Sequence, residues 1–83
     1  HYLNTPRGYN RFIQFLKSNE YKIVDNHLPV FIEIEKKQVS GNPSEIANML
    51  AKRAFEMTGH EVKIIMQTWG GKYTAQYDSL KNK

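Results

Sequence analysis

The stretch VKIIMQTWGGKYTAQY, residues 62–77, predicts a β-hairpin and, with it, half of the fold. Apolar and polar side chains alternate on both sides of a glycine pair, and a period of two is the pattern of a half-buried strand. Adjacent glycines between two such runs favour a two-residue turn of the primed type. We therefore expect strands over Val62–Trp69 and Lys72–Tyr77, with Trp69 opposite Lys72 and Gly70-Gly71 in the turn.

A helix is expected before this hairpin, between Asn42 and Gly59. Asn42 is a suitable N-cap, Pro43 suits the first helical position, and Glu45 completes a capping box. Gly59 is typical of a left-handed helix end. The apolar side chains between them recur at helical spacing and predict one buried stripe: Ile46, Ala47, Leu50, Ala54 and Met57.

The first half of the chain repeats the order helix, strand, strand. Residues 6–18 follow a Thr5-Pro6 start and carry an apolar stripe of Tyr9, Phe12, Ile13 and Leu16. Asn19 is the expected left-handed stop. A short strand is predicted over Tyr21–Val24, a turn at residues 25–27, and a second strand from Val30, with Pro29 at a strand start or edge.

These elements predict an α+β fold of αββαββ order. Two helices would pack on one face of a four-stranded, mainly antiparallel sheet and leave the other face open. The 83 residues are enough for one small domain. Residues 1–5 and 78–83 are expected to fray at its ends.

Composition limits the classes of function. The chain has no cysteine, which excludes disulfides and thiolate zinc sites and favours a cytoplasmic location. No apolar run approaches the ~20 residues needed to span a bilayer, so no membrane association is expected. The net charge of +4 and the pI of about 9.4 favour, modestly, an acidic partner such as nucleic acid or a nucleoprotein.

The sequence lacks recognisable catalytic machinery. Its three histidines, His1, His27 and His60, are scattered, and no metal-ligand spacing, phosphate-binding loop or nucleophile motif occurs. We therefore predict no catalytic residue, no metal and no cofactor. His60, just beyond Gly59, is expected to contact the helix end or solvent.

One remote alternative is enzymatic. Residues 9–35 comprise a helix, a short strand, a turn with His27 and a second strand, and this order resembles the opening of HicA-type toxin ribonucleases. The resemblance implies a small ribonuclease in which His27 acts on RNA. The chain differs from that family in the two strands that follow the second helix, and the Gly-Ser-His context is absent.

Binding through the open sheet face is the leading hypothesis. Alternation predicts which side chains point away from the helices on the second hairpin, and one aromatic residue joins them from the first: Lys63, Ile65, Gln67, Trp69, Lys72, Thr74 and Phe31. Trp69 is expected to lie beside Lys63, Ile65 and Lys72, and aromatic rings next to lysines can stack nucleobases while holding phosphates. We expect nucleic acid, or a nucleoprotein, as the partner of a small regulator of the kind that phages and mobile elements encode.

Three alternatives stay open. One interpretation makes Trp69 a cover for its own glycine turn, with Lys72 across the ring. Glu33 and Glu35 give the same face mixed charge, which suits a protein partner, including an inhibitor or adaptor role or a homodimer made sheet to sheet. A second basic surface on the helices is an ordinary solvated face or a further contact area: Arg7, Arg11, Lys17, Lys52 and Arg53.

Overall fold

The computed structural model describes residues 6–78 and Leu80. The elements are α1 (Pro6–Ser18), β1 (Lys22–His27), β2 (Phe31–Glu35), α2 (Pro43–Thr58), β3 (Lys63–Thr68) and β4 (Gly71–Gln76). This order, with helices packed against a four-stranded sheet, confirms the predicted α+β architecture. The expected Thr5 cap and the expected fraying of residues 1–5, Ser79 and 81–83 lie outside the described residues.

The strands lie in the sheet in the same order as in the chain, β1-β2-β3-β4. β1 with β2, and β3 with β4, are antiparallel hairpins, whereas the central pair β2 and β3 is parallel. A parallel pair needs a long connection, and α2 supplies it. As a consequence, the C-terminal ends of β2 and β3 lie side by side at the same end of the sheet. The candidate site is at this end.

The core lies between the inner sheet face and the two helices. Ile32 and Ile34 of β2 and Ile64 and Met66 of β3 are fully buried, as their alternation predicts. The helices, the segments next to them and β4 complete the core with Phe12, Leu16, Tyr21, Ala47, Leu50, Ala51, Ala54, Val62 and Ala75.

The two helices approach closely at Gly8. A Cβ atom built on Gly8 would lie 2.5 Å from the Met57 backbone oxygen, which is closer than any side chain tolerates. The absence of a side chain therefore allows the first turn of α1 to rest on the last turns of α2. Sequence propensity alone suggests only that this glycine weakens α1.

Both helices end in a left-handed residue, but in α1 it is not the expected one. Glu20, not Asn19, has the positive φ, 68°. The amides of Glu20 and Tyr21 then donate to the carbonyls of Lys17 and Leu16 at 3.0 and 2.9 Å, which is the Schellman arrangement. Asn19 instead donates its side-chain amide to Phe15 O.

The cap residues of α2, Asn42 and Gly59, are confirmed, but the Asn42 side chain bonds to Ser44 N and not to Glu45 N, as the predicted capping box would require. The Asn42 side chain accepts a hydrogen bond from Ser44 N at 2.9 Å, as expected of an N-cap. Gly59 adopts φ 77° and donates its N–H to Phe55 O. Thr58, the last residue of α2, is buried and donates its hydroxyl to Ala54 O at 2.8 Å.

The predicted boundaries of the first hairpin are wrong. β1 continues to His27, and the turn is formed by Leu28–Val30, with a cis Leu28–Pro29 peptide bond. A register shift between Ile23 and Asp25 adds one residue to β1. This bulge interrupts the alternation beyond Ile23, so the pattern breaks at Val24 although the strand does not.

The predicted turn of the second hairpin is also wrong by one position. Thr68 pairs with Gly71 and Gln67 with Lys72, so Trp69 and Gly70 are the turn residues. Gly71 carries the positive φ, 131°, while Trp69 and Gly70 do not, and the turn is therefore not of the primed type. A bulky residue at φ > 0 is unfavourable, so the left-handed torsion falls on the glycine that follows. The register moves by two residues, which preserves the face assignment.

None of the helices within residues 6–78 is long and apolar enough to cross a membrane.

Candidate functional site

The open face is the side of the sheet turned away from the helices. Strand pairing arranges its side chains in three rows across β1, β2, β3 and β4. The rows are Lys22, Glu35, Gln67 and Lys72; Asp25, Glu33, Ile65 and Thr74; and His27, Phe31, Lys63 and Gln76. The alternation-based candidates on β2, β3 and β4 therefore do share one surface.

The open face is balanced in charge. It carries the carboxylates of Asp25, Glu33 and Glu35 together with three lysines. Lys72 lies 3.7 Å from Glu33, an ion pair that crosses β3. Lys72 thus turns toward β2 rather than across the ring of Trp69. A phosphate backbone would meet as much negative as positive charge on this surface.

The lysines predicted to surround Trp69 do not all lie near it. Lys63 begins β3 and Trp69 follows its end, so they are about 20 Å apart along the strand direction. The prediction that Lys63 and Trp69 are neighbours is wrong, because alternation assigns a face but says nothing about distance along it.

Aromatic rings mark the end of the open face opposite Trp69. The imidazole of His27 stacks on the Phe31 ring with centroids 4.6 Å apart, and its Nε2 lies 2.9 Å from Asp25 Oδ1. His27 is thus an ordered strand residue and not a turn residue. Among the described residues no three His, Asp or Glu side chains form a group that could hold a metal.

Trp69 is 78% exposed although the turn that carries it is held firmly. Its backbone N–H donates to Lys37 O at 3.1 Å. The Thr68 hydroxyl accepts from Gly70 N at 3.1 Å and donates to Gly71 O at 3.2 Å. The indole therefore stands on a backbone fixed by both the hairpin and the segment that leaves β2.

Trp69, Lys37 and Gln38 form a ridge between two depressions, which we call the Trp69 ridge. The α2-side depression, about 580 Å³, is bounded by the segment Val39–Gly41, Pro43 and the turn residues Thr68 and Gly70. The β1-side depression, about 520 Å³, is bounded by Glu20, Lys22, Glu35 and Lys36. Both depressions are open to solvent, so a ligand would lie on this surface and not inside a cavity.

The lysines near Trp69 come from the first hairpin. The Lys36 ammonium is engaged, since it donates to Asn19 O at 2.9 Å and lies 4.8 Å from the centroid of the Tyr21 ring. Lys22 and Lys37 are exposed and have no ion-pair partner within residues 6–78. These two ammonium groups are available to an anionic ligand.

Sequence reasoning missed Lys37 and Gln38 as neighbours of Trp69. The signal that could have found them is the helix between β2 and β3. A helical connection favours parallel strands. Because adjacent parallel strands have their C-terminal ends at the same end of the sheet, the residues that follow β2 must lie near those that follow β3. The short run EKK, residues 35–37, is uninformative until that topology is considered.

Arg53 differs from the other described residues of the second basic surface. Arg11, Lys17 and Lys52 are exposed on the helices. The Arg53 guanidinium lies 5.4 Å from the Phe15 ring centroid and 3.8 Å from Glu56, so it covers apolar surface and is partly neutralised. The side chain of Arg7 lies outside the described part of the structure.

Comparison with known proteins gives no match to a protein family, to a curated protein or to a solved structure.

Proposed function

We propose that this chain is a small, non-enzymatic module that binds nucleic acid, or a nucleoprotein, at the Trp69 ridge. The single observation that carries the proposal is a 78% exposed tryptophan on a firmly held turn beside Lys37. An exposed indole is a flat surface on which the nucleobase of a partner can stack. The fixed turn means that little conformational entropy is lost when that partner binds.

Stacking and charge would act together at this ridge. A nucleobase stacked on an aromatic side chain contributes about 1–3 kcal/mol. Lys22 and Lys37 would then hold phosphates, and the pI of about 9.4 favours the approach of a polyanion. The absence of cysteine suits a cytoplasmic module. A role as an accessory regulator, as in phages and mobile elements, is compatible with these features.

The experiment is a fluorescence-anisotropy titration of end-labelled oligonucleotides with the wild type and with Trp69→Ala. We expect the substitution to weaken binding roughly tenfold or more, because a single lost stack already costs about 1–3 kcal/mol. Val30→Ala is the matched control, because Val30 is also exposed but lies in the β1–β2 turn, at the other end of β2. Equal affinity of the wild type and Trp69→Ala would contradict the proposal.

A second candidate function is protein binding on the open face. The observation that favours it is the equal number of acidic and lysine side chains around half-buried Phe31 and Ile65. Mixed charge around an apolar centre is typical of a protein interface. The partner would be another protein, as for an inhibitor or adaptor, or a second copy of the chain.

The two candidates are separable by substitution. Ile65→Thr removes apolar surface from the open face and keeps a β-branched residue in β3. If the open face is a homodimer interface, sedimentation velocity of the wild type will show a dimer that Ile65→Thr dissociates and Trp69→Ala does not. A monomer at all concentrations limits this candidate to another protein.

The enzymatic alternative rests on His27. Its hydrogen bond to Asp25 and its stacking on Phe31 are also what an ordinary strand-end histidine makes, so we propose a module without catalysis. A ribonuclease assay of the wild type and of His27→Ala tests this. RNA cleavage that His27→Ala abolishes would overturn the non-enzymatic proposal.

A further inference from the structure

The shape of the Trp69 ridge bears on whether single-stranded or duplex nucleic acid would bind there. We infer that the ridge takes single-stranded nucleic acid, with two consecutive unpaired bases placed one on each side of the indole. This inference rests on the proposed function and deepens it, because it names the strand form, the number of stacked bases and the groups that hold the phosphates.

The two depressions provide the first argument. They lie on opposite sides of the Trp69 ridge and share Trp69, Lys37 and Gln38 as a common wall. Each is large enough for a flat ring. A chain that crosses the ridge therefore places one base in each depression, with the sugar–phosphate link passing over Lys37. The hydrogen bond from Trp69 N–H to Lys37 O fixes the two sides of the ridge relative to each other.

The linings of the two depressions differ in a way that fits such a strand. The α2-side depression is bounded by Val39, Gly41 and Pro43, with Ser40 and Thr68 as its small polar residues. An uncharged base suits these walls. The β1-side depression contains Lys22 and Lys36 but also Glu20 and Glu35. A phosphate is acceptable there only close to Lys22, at the edge formed by β1.

Duplex nucleic acid does not suit this geometry. The bases of a duplex are already paired and stacked, and exposing them costs a few kcal/mol per base. The charge balance of the neighbouring open face also offers no track for two phosphate backbones. A short segment of single strand needs only the ridge and its two available lysines.

The number of available lysines predicts the salt dependence. Neutralising one phosphate of a single strand contributes a slope of about −0.7 to log K against log salt concentration. Lys22 and Lys37 together predict a slope near −1.4. Removing the Lys37 charge should bring the slope to about −0.7, whereas Lys17→Ala, a control on α1, should leave it unchanged.

Removing a nearby carboxylate should strengthen binding, whereas removing a lysine should weaken it. Glu20 and Glu35 line the β1-side depression and repel a phosphate there. Glu35→Gln should therefore raise the affinity for a single strand several-fold at low salt. Glu56→Gln, which removes a carboxylate that lies beside Arg53 on α2, is the control and should have little effect.

The test combines two readouts on the full chain with a pyrimidine oligonucleotide of about ten residues, within the usual site size of one small binding fold. Trp69 fluorescence reports stacking, and anisotropy of the labelled strand reports binding by any surface. We expect the single strand to quench Trp69 and to bind with a slope near −1.4. A strand of the same length in which every position is abasic should bind at least tenfold more weakly, and the duplex should bind more weakly than the intact single strand.

The outcomes separate this inference from the proposed function. Binding seen by anisotropy without any change in Trp69 fluorescence would overturn both the ridge as the site and this inference. Equal or tighter binding of the duplex, with quenching, would leave the proposed function standing and overturn the inference. No binding of any oligonucleotide at low salt would overturn both and favour the protein-binding candidate.

Discussion

Gly8 shows how a single residue can fix the distance between two elements. Any Cβ at this position meets the Met57 backbone oxygen at 2.5 Å, and backbone cannot move aside as a flexible side chain can. A glycine within a helix ordinarily costs about 1 kcal/mol relative to alanine. In this position, close helix contact outweighs that cost.

Gly8→Ala should therefore destabilise the protein, against the trend of helix propensity. We expect a loss of about 2 kcal/mol in the free energy of unfolding, the usual consequence of overpacking. Asn10→Ala, at an exposed position of α1, is the control and should stabilise slightly. Urea denaturation of both variants measures the effect. A gain in stability for Gly8→Ala would show that the two helices are not in this contact.

Tyr21 gives the fold a dependence on alkaline pH. Burial of its side chain raises the pKa of the phenol above the ordinary value of 10.0. Between the unfolded and the folded pKa, the unfolded chain has lost this proton while the folded chain keeps it, so stability falls as pH rises. The contribution of the buried neutral phenol is complete below pH 10 and is lost as the pH passes through the folded pKa.

Tyr21→Phe removes this titration. We expect the wild type to lose stability relative to Tyr21→Phe as the pH is raised from about 9 to about 11, measured by urea unfolding at each pH. Below about pH 9 the difference between the two proteins should be constant. A difference that stays constant throughout this range would mean that the Tyr21 phenol is not perturbed by burial.

At the scale of single elements, Gly70 and Gly71 in the β3–β4 hairpin differ in backbone torsion and in the space around them. Gly71 has φ 131° and only open space where a Cβ would stand, whereas a Cβ on Gly70 would come closest to the end of the Tyr73 side chain, at 3.3 Å. Gly71→Ala should thus lower stability because alanine disfavours this backbone torsion. Gly70→Ala should lower it only slightly, through a close contact with a side chain that can move.

We expect Gly71→Ala to destabilise the hairpin by about 1–2 kcal/mol and Gly70→Ala by clearly less. Thermal unfolding compares the two variants directly. If Gly70→Ala were the more harmful, the turn would be the Gly70-Gly71 type expected from sequence, with Trp69 paired in the strand. The same comparison therefore tests the position of the candidate site.

At the scale of the whole molecule, the order of strands in the sheet predicts which strands resist local unfolding best. β2 and β3 are paired on both edges and carry the fully buried residues Ile32, Ile34, Ile64 and Met66. β1 lies at an edge and is interrupted by its bulge. Amide hydrogen exchange followed by NMR should be slowest in β2 and β3 and faster in β1. Slowest exchange in β1 would contradict this sheet order.

Much of the fold follows from local pattern. Helical spacing and caps locate α2 to the residue, and alternation assigns the inner faces of β2, β3 and β4. Local pattern fails where a bulge changes the period, as at Val24, and where a bulky side chain rejects a torsion, as at Trp69. Local pattern also cannot predict the neighbours of Trp69, because Lys37 lies beside Trp69 only as a result of the parallel pairing of β2 with β3.

The order of strands in the sheet has a consequence for how the chain can be divided. Each half, residues 6–35 and 43–76, is a helix followed by its own hairpin, and the halves meet along the β2–β3 ladder and the α1–α2 contact. A cut beside exposed Gly41 would leave two fragments of like architecture. Mixing them should reconstitute the protein by fragment complementation, and because Trp69 bonds to Lys37 across the cut, its emission would report reassembly.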